Sequence, residues 1–265
     1  VYGMLHGVQG LLEENYIDLS DHIKTGLDVE LLKRTPAAFL GSCRYKLPGI
    51  HEDKTVYERI FAILDKLDIE AFIYIGGNDS MDTIKKLTDY GNMINSPIRF
   101  IGVPKTIDND LAITDHTPGF GSAAKFVSTT MKEILRDVSV YTMKAVTIVE
   151  VMGRDAGDIA LQTSIALGVV TAVIKEIPTD FDHVIEKMIA ARKGGKRNFI
   201  IITSEGMGKD YGEELSKMIE ARSGIESRFA RLAHIQRGGS PTLRDRVLAT
   251  QMGCAAGENL VDGQM

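Results

Sequence analysis

Five short apolar stretches of strand length recur along the chain, and charged residues are sparse within them. They are rich in valine and isoleucine and cover residues 70–75, 98–103, 145–151, 169–174 and 198–203. Strands of a parallel sheet show such runs because helices cover both faces of the sheet. The pattern therefore predicts five buried strands, and residues 1–5 are typical of one more.

Amphipathic stretches lie between these runs. Apolar residues recur at a spacing of three to four in three stretches: Val56, Ile60, Ile63, Leu64 and Leu67; Val184, Met188 and Ile189; and Leu215, Met218 and Ile219. This spacing predicts helices. Strands that alternate with such helices indicate an α/β fold with doubly wound, mostly parallel sheets. A chain of 265 residues is long enough for one large domain or for two lobes that share a cleft.

Composition removes several classes of function. The chain has 36 acidic residues against 31 lysines and arginines, a net charge of -5. Non-specific binding to nucleic acid or to an anionic membrane needs a basic face, so we expect neither partner. The longest uncharged stretch, residues 159–174, is too short for a membrane-spanning helix. Two distant cysteines cannot form a disulfide framework, which indicates a cytoplasmic protein.

Polar or glycine-rich segments follow four of the predicted strands. They are Gly-Gly-Asn-Asp-Ser at 76–80, Pro-Lys-Thr-Ile-Asp-Asn-Asp at 104–110, Met-Gly-Arg-Asp at 152–155 and Ser-Glu-Gly at 204–206. Ligands bind beyond the carboxyl ends of parallel strands. We therefore expect the four segments to lie on the same edge of the sheet and to form a binding site.

The first segment offers backbone groups to an anion. Gly76 and Gly77 let a ligand approach the backbone, and the helix that we predict to begin near Met81 provides free N–H groups. The alternative is an ordinary strand-to-helix turn in which Asp79 or Ser80 is the N-cap. Neither the Walker A pattern nor G-x-G-x-x-G occurs in the sequence, so the common nucleotide-binding loops are absent.

The second segment combines Lys105, Thr106, Asp108 and Asp110 within six residues. A carboxylate beside a substrate hydroxyl can remove its proton during phosphoryl transfer, and a cation stabilises the group in transfer. The alternative is an acidic turn in which Asp108 or Asp110 caps a helix.

The third segment places an arginine after a buried strand. The guanidinium of Arg154 suits a phosphate or a carboxylate, and an ion pair with Asp155 or Asp158 is the alternative. Glu150 lies inside the preceding apolar strand, where an unpaired carboxylate is costly. We expect a basic partner for Glu150.

A basic segment at 234–241 joins His234 and Arg237 to a Gly-Gly turn. Further arginines flank it, namely Arg228, Arg231, Arg244 and Arg246. This density favours phosphate recognition, and a solvated basic helix face is the alternative.

Together these segments resemble motifs of the phosphofructokinase family. Residues 76–80 are similar to its phosphoryl-donor loop, 104–110 to its catalytic stretch, 149–154 and 234–241 to two sugar-phosphate motifs, and 40–44 to a donor-side segment. The resemblance covers essentially the whole chain. It implies transfer of a phosphoryl group to the 1-hydroxyl of fructose 6-phosphate, with Mg²⁺ as cofactor.

The resemblance also implies roles for individual residues. Asp108 would be the general base, with Lys105, Thr106 and Arg154 as the other catalytic residues. The sugar phosphate would contact Thr106, Asp108, Asp110, Met152, Gly153, Arg154, Glu205, Arg228, His234 and Arg237. The donor would contact Arg44, Gly77, Asn78, Asp79, Ser80 and Lys105. Arg228 would reach in from a neighbouring subunit, which implies a homo-oligomer, a dimer or tetramer, with shared active sites.

Two positions favour pyrophosphate over ATP as the donor. Family members that use ATP generally carry glycine where Asp79 and Lys105 stand, and both substitutions are associated with the pyrophosphate-dependent branch. A carboxylate at Asp79 would repel the α-phosphate of a nucleotide, since two unit charges ~4 Å apart cost ~1 to 4 kcal/mol. We expect a pyrophosphate-dependent enzyme of glycolysis that gives fructose 1,6-bisphosphate reversibly. An ATP-dependent enzyme and a non-catalytic sugar-phosphate-binding subunit remain the alternatives.

Three features depart from the family pattern. Asn78 replaces the aspartate that normally serves Mg²⁺, and its amide oxygen is a candidate ligand with less charge. Ala145, beside Lys144, stands where bacterial members have another sugar-phosphate arginine. The donor-binding glycine loop is missing, so we expect a fragment that lacks the N-terminal strand, loop and helix and the C-terminal end. We expect a donor-side lobe over approximately 1–110 and a sugar-phosphate-side lobe over approximately 111–265, both Rossmann-like, with the active site in the cleft between them.

Overall fold

A computed structural model of the chain describes residues 1–35, 37–140 and 145–262. The chain divides into two units, one formed by Val1–Pro104 with the residues from Met252 onward and the other by Lys105–Gln251. The predicted lobes, with a boundary near residue 110, divide the chain slightly later and assign the whole last helix to the second lobe. The end of that helix groups with the first unit, where the guanidinium of Arg99 donates to the carbonyl oxygen of Leu260.

The first unit contains four strands and five helices among its described residues up to Pro104. In chain order they are β1 (Tyr2–Met4), α1 (Gly7–Leu12), β2 (Tyr16–Asp18), α2 (Leu19–His22), α3 (Gly26–Arg34), α4 (Lys54–Lys66), β3 (Ala71–Gly76), α5 (Asn78–Met93) and β4 (Arg99–Pro104). β1 and β2 pair antiparallel, and β3 and β4 pair parallel.

The core of the first unit lies on one side of the β3–β4 pair. α4 begins after Asp53, whose carboxylate accepts the N–H of Thr55. Its buried side chains pack with residues of α1, α5 and β3 in a cluster that includes Tyr57, Ile60, Leu64, Phe72 and Leu87. On the opposite side of β3, Ile73 is 43% and Ile75 is 64% exposed. The prediction of strands covered on both faces is therefore wrong for β3.

The second unit contains α6 (Phe120–Ser139), β5 (Ala145–Val151), α7 (Asp158–Leu167), β6 (Thr171–Val173), α8 (Phe181–Lys193), β7 (Asn198–Ser204), α9 (Tyr211–Ser223), β8 (Glu226–Arg231) and the start of α10 (Leu243–Val261). Short 3₁₀ turns cover Glu205–Met207 and Ala233–Arg237. The strand order is β6-β7-β5-β8, and all pairs are parallel.

Side chains that alternate along β5 enter two different cores. Val149 and Val151 pack with α6 and α7, whereas Val146 and Ile148 pack with α8 and α9. β5 is buried at every position, as expected for a strand with helices on both faces. The predicted doubly wound α/β architecture with parallel sheets is confirmed for this unit.

The apolar pattern predicts the interior strands closely and misses the edge strand β8. Charged residues occupy three of its positions, at Glu226, Arg228 and Arg231. Edge strands tolerate charge because one side faces no partner strand. The predicted strand 169–174 is also longer than the observed Thr171–Val173.

The four candidate segments lie at the carboxyl ends of strands, as predicted, but not on the edge of one sheet. Two of them follow β3 and β4 in the first unit, and the other two follow β5 and β7 in the second. No strand pairing joins the two parallel sheets among the residues that the structure describes.

Within residues 1–35, 37–140 and 145–262, no helix has both the length and the apolar character that crossing a membrane requires.

Candidate active site

The donor-loop candidate forms the first turn of α5. β3 ends at Gly76, Gly77 is the N-cap, and the helix begins at Asn78, three residues before the predicted start near Met81. Neither Asp79 nor Ser80 is the N-cap, so that alternative is wrong. A Cβ on Gly76 would lie 2.1 Å from Ser80 Oγ. Glycine at this position therefore lets the helix start immediately after the strand, with N–H groups in its first turn that have no partner within the helix.

Asp79 has a partner that the sequence analysis did not identify. Its carboxylate forms an ion pair with Lys46 at 2.9 Å, and both side chains are exposed. Lys46 lies two residues after Arg44, which is also exposed. The only signal in the sequence is this proximity to the donor-side segment.

Residues 105–110 follow β4 and form an irregular loop with a hydrogen bond between two of its own residues. Thr106 is buried, and its hydroxyl oxygen accepts the N–H of Asp108 at 3.2 Å. The hydroxyl of Thr117 donates to the carbonyl oxygen of Thr106 at 2.8 Å. The next helix, α6, has Gly119 as its N-cap. The alternative in which Asp108 or Asp110 caps a helix is therefore wrong.

Asp108 lies among other carboxylates. Burial raises the pKa of Asp108, and the charges of Asp110 and Glu205 raise it further, against the charge of Arg237 and the hydrogen bond with Thr106. Its Oδ1 is buried and accepts no hydrogen bond from any residue in the described part of the chain. A carboxylate with a raised pKa and a free oxygen is well suited to accept a proton from a hydroxyl group.

Lys105 and Arg237 bring positive charge to the same carboxylate. Loss of hydration and the charge of Arg237 lower the pKa of Lys105, and Asp108 acts in the opposite direction. Asp108 and the two cations therefore share one electrostatic environment within the second unit. Perturbed groups of this kind are concentrated at functional sites.

Asn109, to which the sequence analysis gave no role, holds the loop in shape. Its backbone is left-handed, with φ of 57°, a conformation that asparagine tolerates better than most residues. Its amide nitrogen donates to Asp158 Oδ2 at 3.2 Å, and its amide oxygen accepts the N–H of Thr117 at 2.9 Å. Its position between two aspartates of the motif was the available signal.

Residues 152–154 are held by side chains from two other segments. Glu205 Oε1 accepts the N–H groups of Gly153 at 3.2 Å and Arg154 at 2.9 Å. The buried Gln236, another residue that the sequence analysis missed, accepts the N–H of Met152 at 3.1 Å. The loop that carries Arg154 is therefore fixed through its backbone.

The guanidinium of Arg154 forms no ion pair within the described residues. Asp155 pairs instead with Lys175 at 2.6 Å, and Asp158 accepts from Asn109. The alternative of a structural pair with either aspartate is therefore wrong. Arg154 is exposed and available to an anionic ligand.

The other arginines differ in their surroundings. Arg231 pairs with Glu150 at 2.6 Å, which confirms the predicted basic partner. Arg228 on β8 donates twice to Glu226 at 3.0 Å. His234 and Arg237 are exposed on a 3₁₀ turn, so the alternative of a basic helix face does not describe them. Lys144 lies outside the described residues.

Two of the candidate residues carry side-chain oxygens of the kind that binds Mg²⁺. Asn78 begins α5 in the first unit, and Asp108 in the second has a buried oxygen that accepts no hydrogen bond from the described residues. Mg²⁺ is usually bound by one or two protein oxygens together with substrate phosphates, and the residues present fit that pattern. No group of three or more His, Cys, Asp or Glu side chains arranged for a metal occurs in the chain as described.

Curated relatives resemble the chain over most of its length. The ATP-dependent 6-phosphofructokinase of Clostridioides difficile (strain 630) is 38% identical over 266 residues, which cover 100% of this chain and 77% of the relative. ATP-dependent 6-phosphofructokinase 1 of Clostridium perfringens (strain 13 / Type A) is 42% identical over 213 residues, covering 80% of this chain and 64% of the relative.

Solved structures also resemble the chain over nearly its whole length. The pyrophosphate-dependent phosphofructokinase from Marinobacter aquaeolei has a TM-score of 0.83 and 34% identity, covering 100% of this chain and 68% of its own. The pyrophosphate-dependent phosphofructokinase from Nitrosospira multiformis has a TM-score of 0.85 and 32% identity, covering 99% and 68%. The family model described as phosphofructokinase matches residues 1–260. The chain therefore belongs to the phosphofructokinase family.

Proposed function

We propose that this phosphofructokinase transfers a phosphoryl group from pyrophosphate to the 1-hydroxyl of fructose 6-phosphate. The observation that carries the chemical step is the environment of Asp108. Its pKa is raised, and its buried Oδ1 accepts no hydrogen bond from the described residues. In this proposal Asp108 removes the proton of the sugar hydroxyl as the new oxygen–phosphorus bond forms.

The cations near this carboxylate support the rest of the reaction. Arg237 acts electrostatically on both Asp108 and Lys105, and we assign it with His234 to the sugar phosphate. We assign Lys105 and the unpaired Arg154 to the charge of the group in transfer, where positive groups stabilise the transition state. Thr106, Asp110, Met152, Gly153 and Glu205 complete the proposed acceptor site.

The choice of donor depends on the first turn of α5. Asp79 there is exposed and bonded to Lys46, and its charge would oppose the α-phosphate of a nucleotide. Pyrophosphate ends before that position. We assign the donor to Gly77, Asn78, Asp79, Ser80, Arg44 and Lys105. Two solved structures of pyrophosphate-dependent family members match nearly the whole chain, which is compatible with pyrophosphate as the donor.

Mg²⁺ would neutralise the phosphates of the donor, and we assign Asn78 as the candidate protein ligand. Its position at the start of α5 places an amide oxygen beside the candidate donor loop. Asn78→Ala should raise the Mg²⁺ concentration needed for half-maximal donor binding, measured by calorimetry with pyrophosphate.

An ATP-dependent enzyme is the second candidate, because the curated relatives cited above carry that name. A coupled assay of fructose 1,6-bisphosphate formation with each donor separates the two. We expect turnover with pyrophosphate and little with ATP, and the reverse result would establish the second candidate. Binding of fructose 6-phosphate without turnover from either donor would indicate a non-catalytic subunit.

Asp108→Asn is the variant that tests the chemical step. General base catalysis contributes about 10²- to 10⁴-fold, so we expect a loss of that size in kcat. Affinity for fructose 6-phosphate should change little, because the amide keeps the shape of the side chain. A variant that retains more than a tenth of the activity would exclude Asp108 as the base.

A further inference from the structure

The first turns of two helices in the second unit bind each other through one buried carboxylate. Asp245 is the third residue of α10, and its side chain is 5% exposed. Its Oδ2 accepts the N–H of Ser122 at 2.8 Å and also the hydroxyl of Ser122. Its Oδ1 accepts from His116 Nε2 at 3.0 Å. Three donors thus surround a single carboxylate.

The interaction is reciprocal. The N–H of Thr242 donates to Ser122 Oγ at 3.1 Å, and the N–H of Asp245 donates to Thr242 Oγ1 at 3.2 Å. In an ordinary capping box, an acidic third residue returns to the start of its own helix. Here the carboxylate of α10 caps α6 instead, and Ser122 of α6 satisfies the N–H of Thr242 in return.

This arrangement accounts for a buried charge. A buried carboxylate is tolerated only when strong hydrogen bonds compensate for lost hydration. Hydrogen bonds from Ser122 and His116 keep the pKa of Asp245 below its ordinary value although burial raises it. The positive ends of the two helix dipoles favour the same negative charge.

The hydrogen bonds among His116, Ser122, Thr242 and Asp245 form a joint between α6 and α10. On two sides of this joint, the chain continues directly into the candidate active site. On one side, His116 precedes Thr117, which is bonded to Asn109 and to the carbonyl of Thr106. On the other side, Thr242 directly follows the basic segment 234–241.

The basic segment itself lies against α6. A Cβ on Gly239 would lie 3.0 Å from the ring of Phe126 in that helix. The joint therefore connects the loop of Asp108 with the segment of Arg237.

We propose that Asp245 is a positioning residue that fixes the basic segment 234–241 relative to the loop of Asp108. The proposal rests on the proposed function, because its consequence is that the joint sets the distance between the sugar phosphate and the general base. We assign Asp245 to neither the sugar phosphate nor the donor.

Two variants test the joint, and a third is the control. Asp245→Asn removes the charge while keeping the size, and Ser122→Ala removes the hydroxyl that both helices share. Asn198→Ala removes the side-chain bond from Asn198 to Val138 O at 3.1 Å, which holds the opposite end of α6. All three lose polar contacts with α6, so a general loss of stability affects them alike.

Hydrogen exchange gives a readout that does not depend on catalysis. We expect faster amide exchange in residues 233–242 and 105–119 of Asp245→Asn and Ser122→Ala, at least tenfold. Exchange in β5 and β7 should stay within twofold of the parent protein. Exchange that is unchanged, or that rises equally throughout the second unit, overturns the proposal.

Kinetics give the second readout. We expect the KM for fructose 6-phosphate to rise about tenfold in Asp245→Asn, while the KM for the donor stays within twofold. An equal rise in Asn198→Ala overturns the positioning role. If the parent protein neither binds nor converts fructose 6-phosphate, the proposed function fails, and the exchange experiment still decides whether the joint holds the two segments.

Discussion

At the scale of single residues, the fold holds a charged side chain of the candidate site in surroundings that disfavour its ionised form. Asp108 is half-buried near Asp110 and Glu205, which disfavours its ionised form. A carboxylate in such a place binds a proton more tightly in the folded than in the unfolded chain. Functional residues often reduce stability in this way, and removing them can stabilise the fold.

The first prediction follows from the raised pKa of Asp108. Above that raised pKa the folded chain holds an ionised, partly desolvated carboxylate, so Asp108→Asn should raise the melting temperature there by about 2 to 4 °C. The gain should shrink as pH falls and vanish below the ordinary pKa of 3.8, because Asp108 is then protonated in both states. Calorimetry over a pH series measures it. A gain that persists at low pH would assign the effect to packing instead of charge.

The second prediction concerns the pair of Lys46 with Asp79. An exposed ion pair contributes at most about 1 kcal/mol to stability, so Lys46→Met should leave the melting temperature nearly unchanged. Without the ammonium group, however, the charge of Asp79 acts fully on an approaching anion. We expect the KM for pyrophosphate to rise about tenfold. The corresponding change in free energy lies within the range of interaction energies between two unit charges near a protein surface.

The control for Lys46 lies in the same helix as Asp79. Lys85 pairs with Asp89 at 2.9 Å and is also exposed, but it lies two turns further along α5. Lys85→Met should leave the KM for pyrophosphate unchanged. Equal effects of the two substitutions would mean that only the overall charge matters and that Lys46 has no specific role.

At the scale of elements, the sequence predicts well wherever burial decides the structure. The runs that become β5 and β7 are apolar because both faces of these strands are covered. β8 is missed because its charges suit an edge strand. The start of α5 is misplaced because Gly77, rather than a polar side chain, is the N-cap.

In the candidate site too, the sequence identifies some residues and misses others. Its motifs mark Asp108 and Arg154, since several chemical groups occur there within a few residues. Gln236 and Asp245 act instead on backbone groups 84 and 123 residues away. No local pattern reports such pairs, so the supporting residues emerge only from the fold.

The third prediction tests the loop after β5 with two glycines of left-handed φ. Gly153 has φ of 144°, and a Cβ there would lie 2.4 Å from Ala156 O. Gly168 also has a positive φ, of 59°, but a Cβ there would meet no atom within 4 Å. Both alanine variants strain the backbone by about 1 kcal/mol. Only Gly153→Ala should also displace the loop of Arg154, with a loss of at least tenfold in kcat/KM for fructose 6-phosphate. Similar activities of the two variants would show that the close contact is relieved without moving the loop.

At the scale of the whole molecule, family membership determines the fold and leaves the donor open. The ATP-dependent relatives cited above are 38% and 42% identical to this chain over the aligned residues, and the pyrophosphate-dependent structures are 34% and 32% identical. Overall similarity therefore does not separate the two branches. We attribute the choice of donor to a few local charges, at Asp79, Lys46 and Lys105, which whole-chain comparison averages out.

The final prediction concerns assembly, because we propose that Arg228 acts in the active site of a neighbouring copy. Arg228 lies on the edge strand β8, is exposed and is bonded to Glu226 of its own chain. Arg228→Ser and Asp108→Asn should each be inactive alone. Co-expression of the two should restore about a quarter of the activity, because half of randomly mixed symmetric dimers contain both variants and each mixed dimer has one intact site. Assays of separately tagged, co-purified protein measure this recovery, and its absence would place Arg228 in the site of its own chain.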